Sequence, residues 1–169
     1  EQALLNNTDW QDLITRTGIS TYNDLSVSLG NKKIQTYLGV SNVEENSYLV
    51  NDHFGRTSVR LNIDYKPINI LKIGGNFSFS HTDHRPTPSS WDGGWGRAIS
   101  TALPYFPAYN SDGSYYVFPK STNPVTEANE KRRRIFTQRT MASLYADLQI
   151  IKGLSLRLEG NIDYRDNES

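Results

Sequence analysis

The chain has 169 residues, 36% of them hydrophobic, with 18 basic residues balanced by 18 acidic ones and no cysteine. That apolar fraction is low for a self-contained globular core of this length, zero net charge gives no field for nucleic acid or another polyanion, and the lack of cysteine excludes a disulfide framework or a thiolate metal site. The start, EQALLNNTDWQDLITRTG, lacks the basic opening and apolar centre of a signal peptide, and no run of about 18 apolar residues exists to form a membrane helix. The chain is therefore soluble, or enters a membrane by another geometry, or is a piece of something longer.

Period-two alternation predicts six strands. In the first, 22–30, Leu25, Val27 and Leu29 alternate with Ser26 and Ser28; the turn GNKK leads to the second, 34–44, where Ile34, Thr36, Leu38 and Val40 alternate with Gln35, Tyr37, Gly39 and Ser41. A longer connection around ENSYLVNDHF precedes the third, 54–66, with Val59, Leu61, Ile63 and Tyr65 on one parity and Arg60, Asn62 and Asp64 on the other. After KPIN the fourth, 70–83, sets Leu71, Ile73, Gly75, Phe77 and Phe79 against Lys72, Gly74, Asn76, Ser78 and Ser80. A long connection, 84–135, leads to the fifth strand, 136–150, with Ala142, Leu144, Ala146, Leu148 and Ile150 against Ser143, Asp147 and Gln149. The sixth, 154–165, follows a tight turn around IKG and sets Leu154, Leu156, Leu158, Ile162 and Tyr164 against Ser155, Arg157, Glu159, Asn161, Asp163 and Arg165.

Six strands of one kind make an antiparallel meander the economical topology. Short and long connections alternate, which puts all the short turns at one end and the long ones at the other. A soluble sandwich explains one-faced strands, yet its strands usually run about 5–6 residues. A transmembrane barrel strand needs about 9–11, and such barrels have short periplasmic turns, longer external loops, a lipid-facing apolar row and a polar lumen. The barrel is the preferred reading, with Val59, Leu61, Ile63, Tyr65, Leu71, Ile73, Phe77, Phe79, Leu144, Leu148, Leu154, Leu156, Leu158 and Ile162 expected to face lipid. Backbone amides in hydrocarbon need internal partners, so a spanning sheet must close; single-chain bacterial barrels begin at about 8 strands, so these strands are expected to be part of a larger wall.

The long connection is rich in aromatic residues, which a disordered linker would not be. A short helix over 95–103, ended by Pro104, and a turn at SDGS are expected. Trp91, Trp95, Tyr105, Tyr109, Tyr115 and Tyr116 are candidates for contact with a ligand or a lid protein; the competing reading is that the rings form the loop's own small core. KRRR at Lys131–Arg134 is either a solvated rim or a group that attracts anionic lipopolysaccharide or a carboxylate-bearing ligand. Lumen-parity Arg60, Asp64, Arg157, Glu159, Asp163 and Arg165 suit cross-strand ion pairs or contacts to a plug. His81 and His84 of HTDH differ in strand parity, so no metal site is expected. No catalytic residue, cofactor motif or nucleic-acid-reading element is found.

Several stretches resemble one family: NTDWQDLITRTG at Asn7–Gly18, NDLSVSLGNKKIQTYLGVS at Asn23–Ser41, FGRTSVRLNIDYKPINILKIGGNFSFS at Phe54–Ser80, and ALPYFPAYNSDGSYY with NPV between Ala102 and Val125. In this order they are similar to the SusC/RagA-like TonB-linked transporters of the Bacteroidetes outer membrane; the first turn departs from the usual double glycine, since Leu29 precedes Gly30. The resemblance implies a 22-stranded barrel, an N-terminal plug, a SusD-like lipoprotein lid, and import of oligosaccharides or peptides energised through the TonB complex. Neither plug nor TonB box is recognisable here, so a partial barrel wall, residues 1–169, is expected. The alternative is a secreted all-β carbohydrate-binding module using the loop tryptophans.

Overall fold

The computed structural model describes residues 6–87, 94–100, 102–119, 121–130 and 133–169. The elements in chain order are α1 (Trp10–Ile14), β1 (Ile19–Gly30), β2 (Ile34–Asn46), β3 (His53–Ile68), β4 (Leu71–Arg85), α2 (Gly94–Ser100), α3 (Pro124–Glu130), β5 (Ile135–Ile151) and β6 (Leu154–Glu168). The strands form one antiparallel sheet in the order β1-β2-β3-β4-β5-β6, the meander that alternation and turn chemistry predict. They run 12, 13, 16, 15, 17 and 15 residues, all longer than the roughly 9–11 that cross a bilayer core.

The chain divides into two compact units: 21–44, 55–83 and 135–169 hold most of the sheet, and 1–20, 45–54 and 84–134 form the other. In the sheet unit the hairpins follow from their turn residues. Asn31 Oδ1 accepts from the amides of Lys33 and Ile34 at 2.8 and 3.0 Å, an Asx turn that brings Asn31 N onto Ile34 O at 2.7 Å. Gly153, at φ 89°, supplies the left-handed residue between β5 and β6. KPIN is not wholly a turn: β3 continues through Pro67 and Ile68, and the bend falls on Asn69 and Ile70. Proline suits that strand end, where no further ladder amide is needed.

The β5–β6 register pairs Ala142 with Ile162, Ala146 with Leu158 and Leu148 with Leu156, while Asp147 faces Arg157 and Tyr145 faces Glu159. Apolar and polar side chains therefore segregate to opposite faces. On the polar face the Tyr145 ring lies across Gly74: a β-carbon there would sit 2.4 Å from Tyr145 Cζ and 2.6 Å from Asp64 Oδ1. Only glycine leaves room for the phenol to reach Asp64.

The other unit has a small core of Trp10, Ile14, Ala98, Ala108, Phe118, Val125 and Ala128, with Trp95, Ala102, Phe106, Tyr115 and Tyr116 packed against it. α1 and α3 were not anticipated from the sequence, although both carry start signals. Asp9 accepts from the Gln11 and Asp12 amides at 3.1 Å each, and Asn123 Oδ1 accepts from Val125 N at 2.9 Å with Pro124 at the first helical position. The expected helix at 95–103 is shorter and earlier, Gly94–Ser100.

Gly74→Val should force Tyr145 and Asp64 apart at a cost of about 1–3 kcal/mol, lowering the yield of folded protein. Gly160→Val, in open space, should not; heat-modifiable mobility on gels compares the two.

Candidate functional site

Two surfaces carry the features to which function could attach: the aromatic loop and the two faces of the sheet. In the loop, Asn123 Nδ2 donates to Ala108 O at 2.8 Å and Tyr116 O at 3.0 Å, drawing two strands of irregular chain together. The N-terminal segment closes the core from another side: Trp10 Nε1 donates to Leu103 O at 3.1 Å, Thr8 Oγ1 to Phe106 O at 2.7 Å, and Thr8 N to Pro104 O at 2.8 Å. These bonds satisfy carbonyls that a buried loop would otherwise leave unpaired.

The loop aromatics divide between two roles. Trp91 lies outside the described residues. Trp95, in α2, is half-buried against the core, with the Tyr48 ring edge-on at 5.9 Å. Tyr116 packs against Phe106 at 5.9 Å and Phe118 at 5.5 Å, and Phe118 against Trp10 at 5.7 Å. Tyr115 is half-buried but meets Tyr109, with ring centroids 5.6 Å apart across an isolated β-bridge. Tyr109 and Tyr105 stay 44% and 39% exposed, and Tyr105 lies 4.5 Å from Phe106. The core thus takes Trp95, Tyr115 and Tyr116 at least in part, leaving Tyr105 and Tyr109 as the exposed rings among the described candidates. Tyr48, 54% exposed in the β2–β3 connection, adds an exposed ring from outside the long loop, a lone aromatic that no local pattern marks.

The expected SDGS turn is present: Gly113 N donates to Asn110 O at 3.0 Å, and Gly113 has φ 84°. Asp112 Oδ1 accepts from Ser114 Oγ at 2.6 Å and Ser114 N at 2.9 Å. These two bonds, the hydroxyl's first, hold the Asp112 carboxyl below the ordinary aspartate range.

On the apolar face of the sheet, Leu61, Ile63, Tyr65, Ile73, Phe77 and Leu144 border a shallow groove over Gly75. Leu71, Val59 and Phe79 are partly exposed, while Leu148, Leu154, Leu156, Leu158 and Ile162 lie open. Among the described residues no second layer covers this face. A water-soluble sandwich would bury it against another sheet.

The opposite face is ionic. Lys72 Nζ lies 3.1 Å from Asp64 Oδ2, and the Tyr145 hydroxyl donates to Asp64 Oδ1. Arg157 stacks on the Tyr145 ring at 4.3 Å and contacts Asp147 at 3.3 Å and Glu159 at 3.2 Å. Arg139 grips Asp163 with Nε at 2.9 Å and Nη2 at 2.6 Å. Asp64 with Lys72, Arg157 with Asp147 and Asp163 with Arg139 are thus the cross-strand pairs, while Glu159 meets Arg157 within β6; Tyr145, on which Asp64, Lys72 and Arg157 converge, is hard to read from the sequence because an aromatic on the polar parity looks like an interruption.

The histidines do not converge: His81 stacks on Phe136 at 5.9 Å and His84 meets Phe54 edge-on at 5.8 Å. Among the described residues no group of three or more His, Asp or Glu side chains is placed to hold a metal ion. Lys131 and Arg132 of KRRR lie outside the described residues, while Arg133 and Arg134 are exposed.

No family model matches the chain. Over 162 residues, 89% of the chain, it is 30% identical to TonB-dependent receptor P3 of Formosa agariphila, of which it spans 16%. TonB-dependent receptor P26 of the same organism is 26% identical over 146 residues, 83% of the chain and 14% of that protein. Among solved structures, the RagAB peptide transporter superimposes with a TM-score of 0.77 at 20% identity, covering 95% of this chain and 19% of that one. The RagAB peptide importer in its open-open state gives 0.76 at 21%, covering 94% and 19%.

Phe118→Ala should cost about 3–5 kcal/mol by opening the loop core and make 84–134 a preferred site of protease nicking, while Tyr109→Ala should leave cleavage unchanged. Because the folded Asp112 carboxyl is held below its unfolded value, its bonds stabilise the turn above the ordinary aspartate range and are lost as pH falls through the folded value. Ser114 amide exchange should then lose protection in acid, and Asp112→Asn should abolish that pH dependence.

Proposed function

Since the chain is a distant homologue of TonB-dependent receptors and has the fold of part of the RagAB barrel, we propose that it serves as barrel wall in an outer-membrane importer. Its class is transport, not catalysis. The observation that carries this reading is the uncovered apolar face of a sheet whose other face is ionic, with strands long enough to span hydrocarbon. Among the described residues no helix is long and apolar enough to cross a membrane, and strands cross only when every backbone group is paired. The outer edges of β1 and β6 are therefore continued by further strands of a larger barrel.

The cargo in this proposal is an oligosaccharide or a peptide, received together with a SusD-like surface lipoprotein and drawn inward through a plug by the TonB complex. The exposed rings of Tyr48, Tyr105 and Tyr109 supply flat apolar area with polar edges suited to either cargo or to a lid, and Trp91, outside the described residues, is a further candidate. A secreted carbohydrate-binding module fits less well, because its sheet would need a covering layer.

The test is made on the full-length gene product. Ile63→Arg or Ile73→Arg should cost about 2–4 kcal/mol near the bilayer midplane and strongly reduce heat-modifiable barrel in the outer-membrane fraction. Asn62→Arg and Asn76→Arg should be tolerated. Equal tolerance of both sets, or a product soluble without detergent, would falsify the barrel assignment.

A further inference from the structure

On the apolar parity of the sheet, the side chains turn polar along one continuous row. Asn31 N donates to Ile34 O at 2.7 Å and Lys66 N to Lys33 O at 2.6 Å. Counting along the strands from these bonds sets Asn23 opposite Asn42, and Asn42 opposite Thr57, where Asn42 Nδ2 donates to Thr57 Oγ1 at 3.2 Å. Asp64 lies beside Gly74, which brings Thr57 level with His81. Asn76 Nδ2 donates to Ser143 Oγ at 3.1 Å, which brings His81 level with Gln138, and Gln138 pairs with Asp166. Asn23, Asn42, Thr57, His81, Gln138 and Asp166 thus form a row perpendicular to the strands. Toward the short turns the same parity becomes apolar, from Leu25 to Leu29 in β1 and from Leu154 to Tyr164 in β6, broken only by Gly160.

The short turns do not run parallel to this row. At about 3.3 Å per residue, the turn at Asn31 to Lys33 lies about 31 Å from it along the strands, that at Asn69 and Ile70 about 40 Å, and that at Lys152 and Gly153 about 46 Å. Across the intervening strand spacings of about 4.8 Å each, the line of turns recedes by about 15 Å over about 19 Å of sheet, an inclination of about 38°. Barrel strands tilt by about 35–45°. A barrel therefore lays the line of turns flat along the bilayer, and the polar row slopes across it.

At that tilt the apolar residues of β6 rise about 26 Å, while those of β1 rise only about 10 Å and those of β2 and β3 about 16 Å. The β6 value matches the roughly 25 Å band of an outer-membrane barrel, and the β1 value is about 15 Å short of it. Because the turns are level, the deficit lies at the opposite end, where Asn23, Asn42 and Thr57 interrupt the apolar parity. These side chains are too short to reach up to a distant interface as lysine or arginine would. The bond to Thr57 satisfies only part of the Asn42 amide, and hydrocarbon supplies nothing for the rest. The interface must therefore come to them. A bilayer meets a short apolar wall by thinning. The strip left below the row, with Leu25 and Leu29 at 73% and 70% exposure, is narrow, which suits shortened lipid tails better than a protein interface, whose centre is a broad apolar patch.

Resting on the barrel-wall reading, we propose that the outer leaflet is drawn down over β1, β2 and β3, so that the bilayer thins locally and headgroups and water meet Asn23, Asn42 and Thr57.

The full-length transporter, with any other cysteine replaced, carries a nitroxide at one position at a time through Asn23→Cys, Asp166→Cys or Ile162→Cys. In dioleoylphosphatidylcholine nanodiscs, relaxation of the label by a water-soluble nickel chelate is compared with relaxation by oxygen. Local thinning gives equal nickel access at Asn23 and Asp166, and loss of nickel access at Ile162. In a bilayer of uniform thickness the Asn23 label would lie about 15 Å deeper than the Asp166 label, and nickel exclusion with high oxygen access at Asn23 would overturn the proposal. Protection of Asn23 from both reagents would overturn it too, by showing a second copy or another protein on this face. Combining Asn23→Leu, Asn42→Leu and Thr57→Val lengthens the apolar strip. It should raise the melting temperature of the heat-modifiable barrel in dioleoyl relative to dimyristoyl nanodiscs, and an unchanged difference between the two lipids would count against thinning. Nickel access at Ile162 in folded protein would instead overturn the barrel reading.

Discussion

An apolar sheet face with no protein layer upon it cannot rest in water, and the rest of the architecture answers to that. Leu144, Leu158 and Ile162, at 72%, 65% and 68% exposure, would present an aggregating ribbon unless hydrocarbon covers them. Hydrocarbon in turn forbids unpaired amides, which makes an antiparallel sheet with tight hairpins the workable structure and leaves β1 and β6 in need of neighbours. The ionic face follows from the same division. Charges kept off the apolar side satisfy one another across the strands, as Asp64, Lys72, Tyr145 and Arg157 do.

That network also gives the glycines of β4 a physical purpose. Gly74 yields its side-chain space to Tyr145 on the polar face, and Gly75 faces Leu144 on the apolar one, where a β-carbon would come within 2.8 Å of Leu144 Cδ2. Adjacent glycines in a strand weaken it in isolation. Here a large side chain from β5 leans over each of them, the kind of aromatic and aliphatic cover that holds a register in place.

The sheet was legible in the sequence because side-chain parity is a local property: Ile63 and Asn62 declare their faces without reference to anything distant. The loop was legible only as a place. Whether Tyr116 is a ligand platform or core depends on Phe106 and Phe118, and nothing near Trp10 indicates that its indole reaches Leu103 O. α3 is different, since Asn123 and Pro124 are a readable helix start lying within the NPV stretch that also carries the family resemblance. Tyr145 escaped notice because the value of a phenol among charges appears only when Asp64, from β3, comes within reach.

The bond from Trp10 to Leu103 O joins residues 93 apart, and it bears on the order of events in folding. A contact of that separation closes only after the intervening chain has been drawn in, and its closure entropy is met before its burial is gained. The hairpins, held by near neighbours, have no such delay. The seam between β4 and β5 shares that delay, since Gln149 N reaches Ile70 O across the same connection, so the loop core and this seam are expected to consolidate together, after the three tight hairpins.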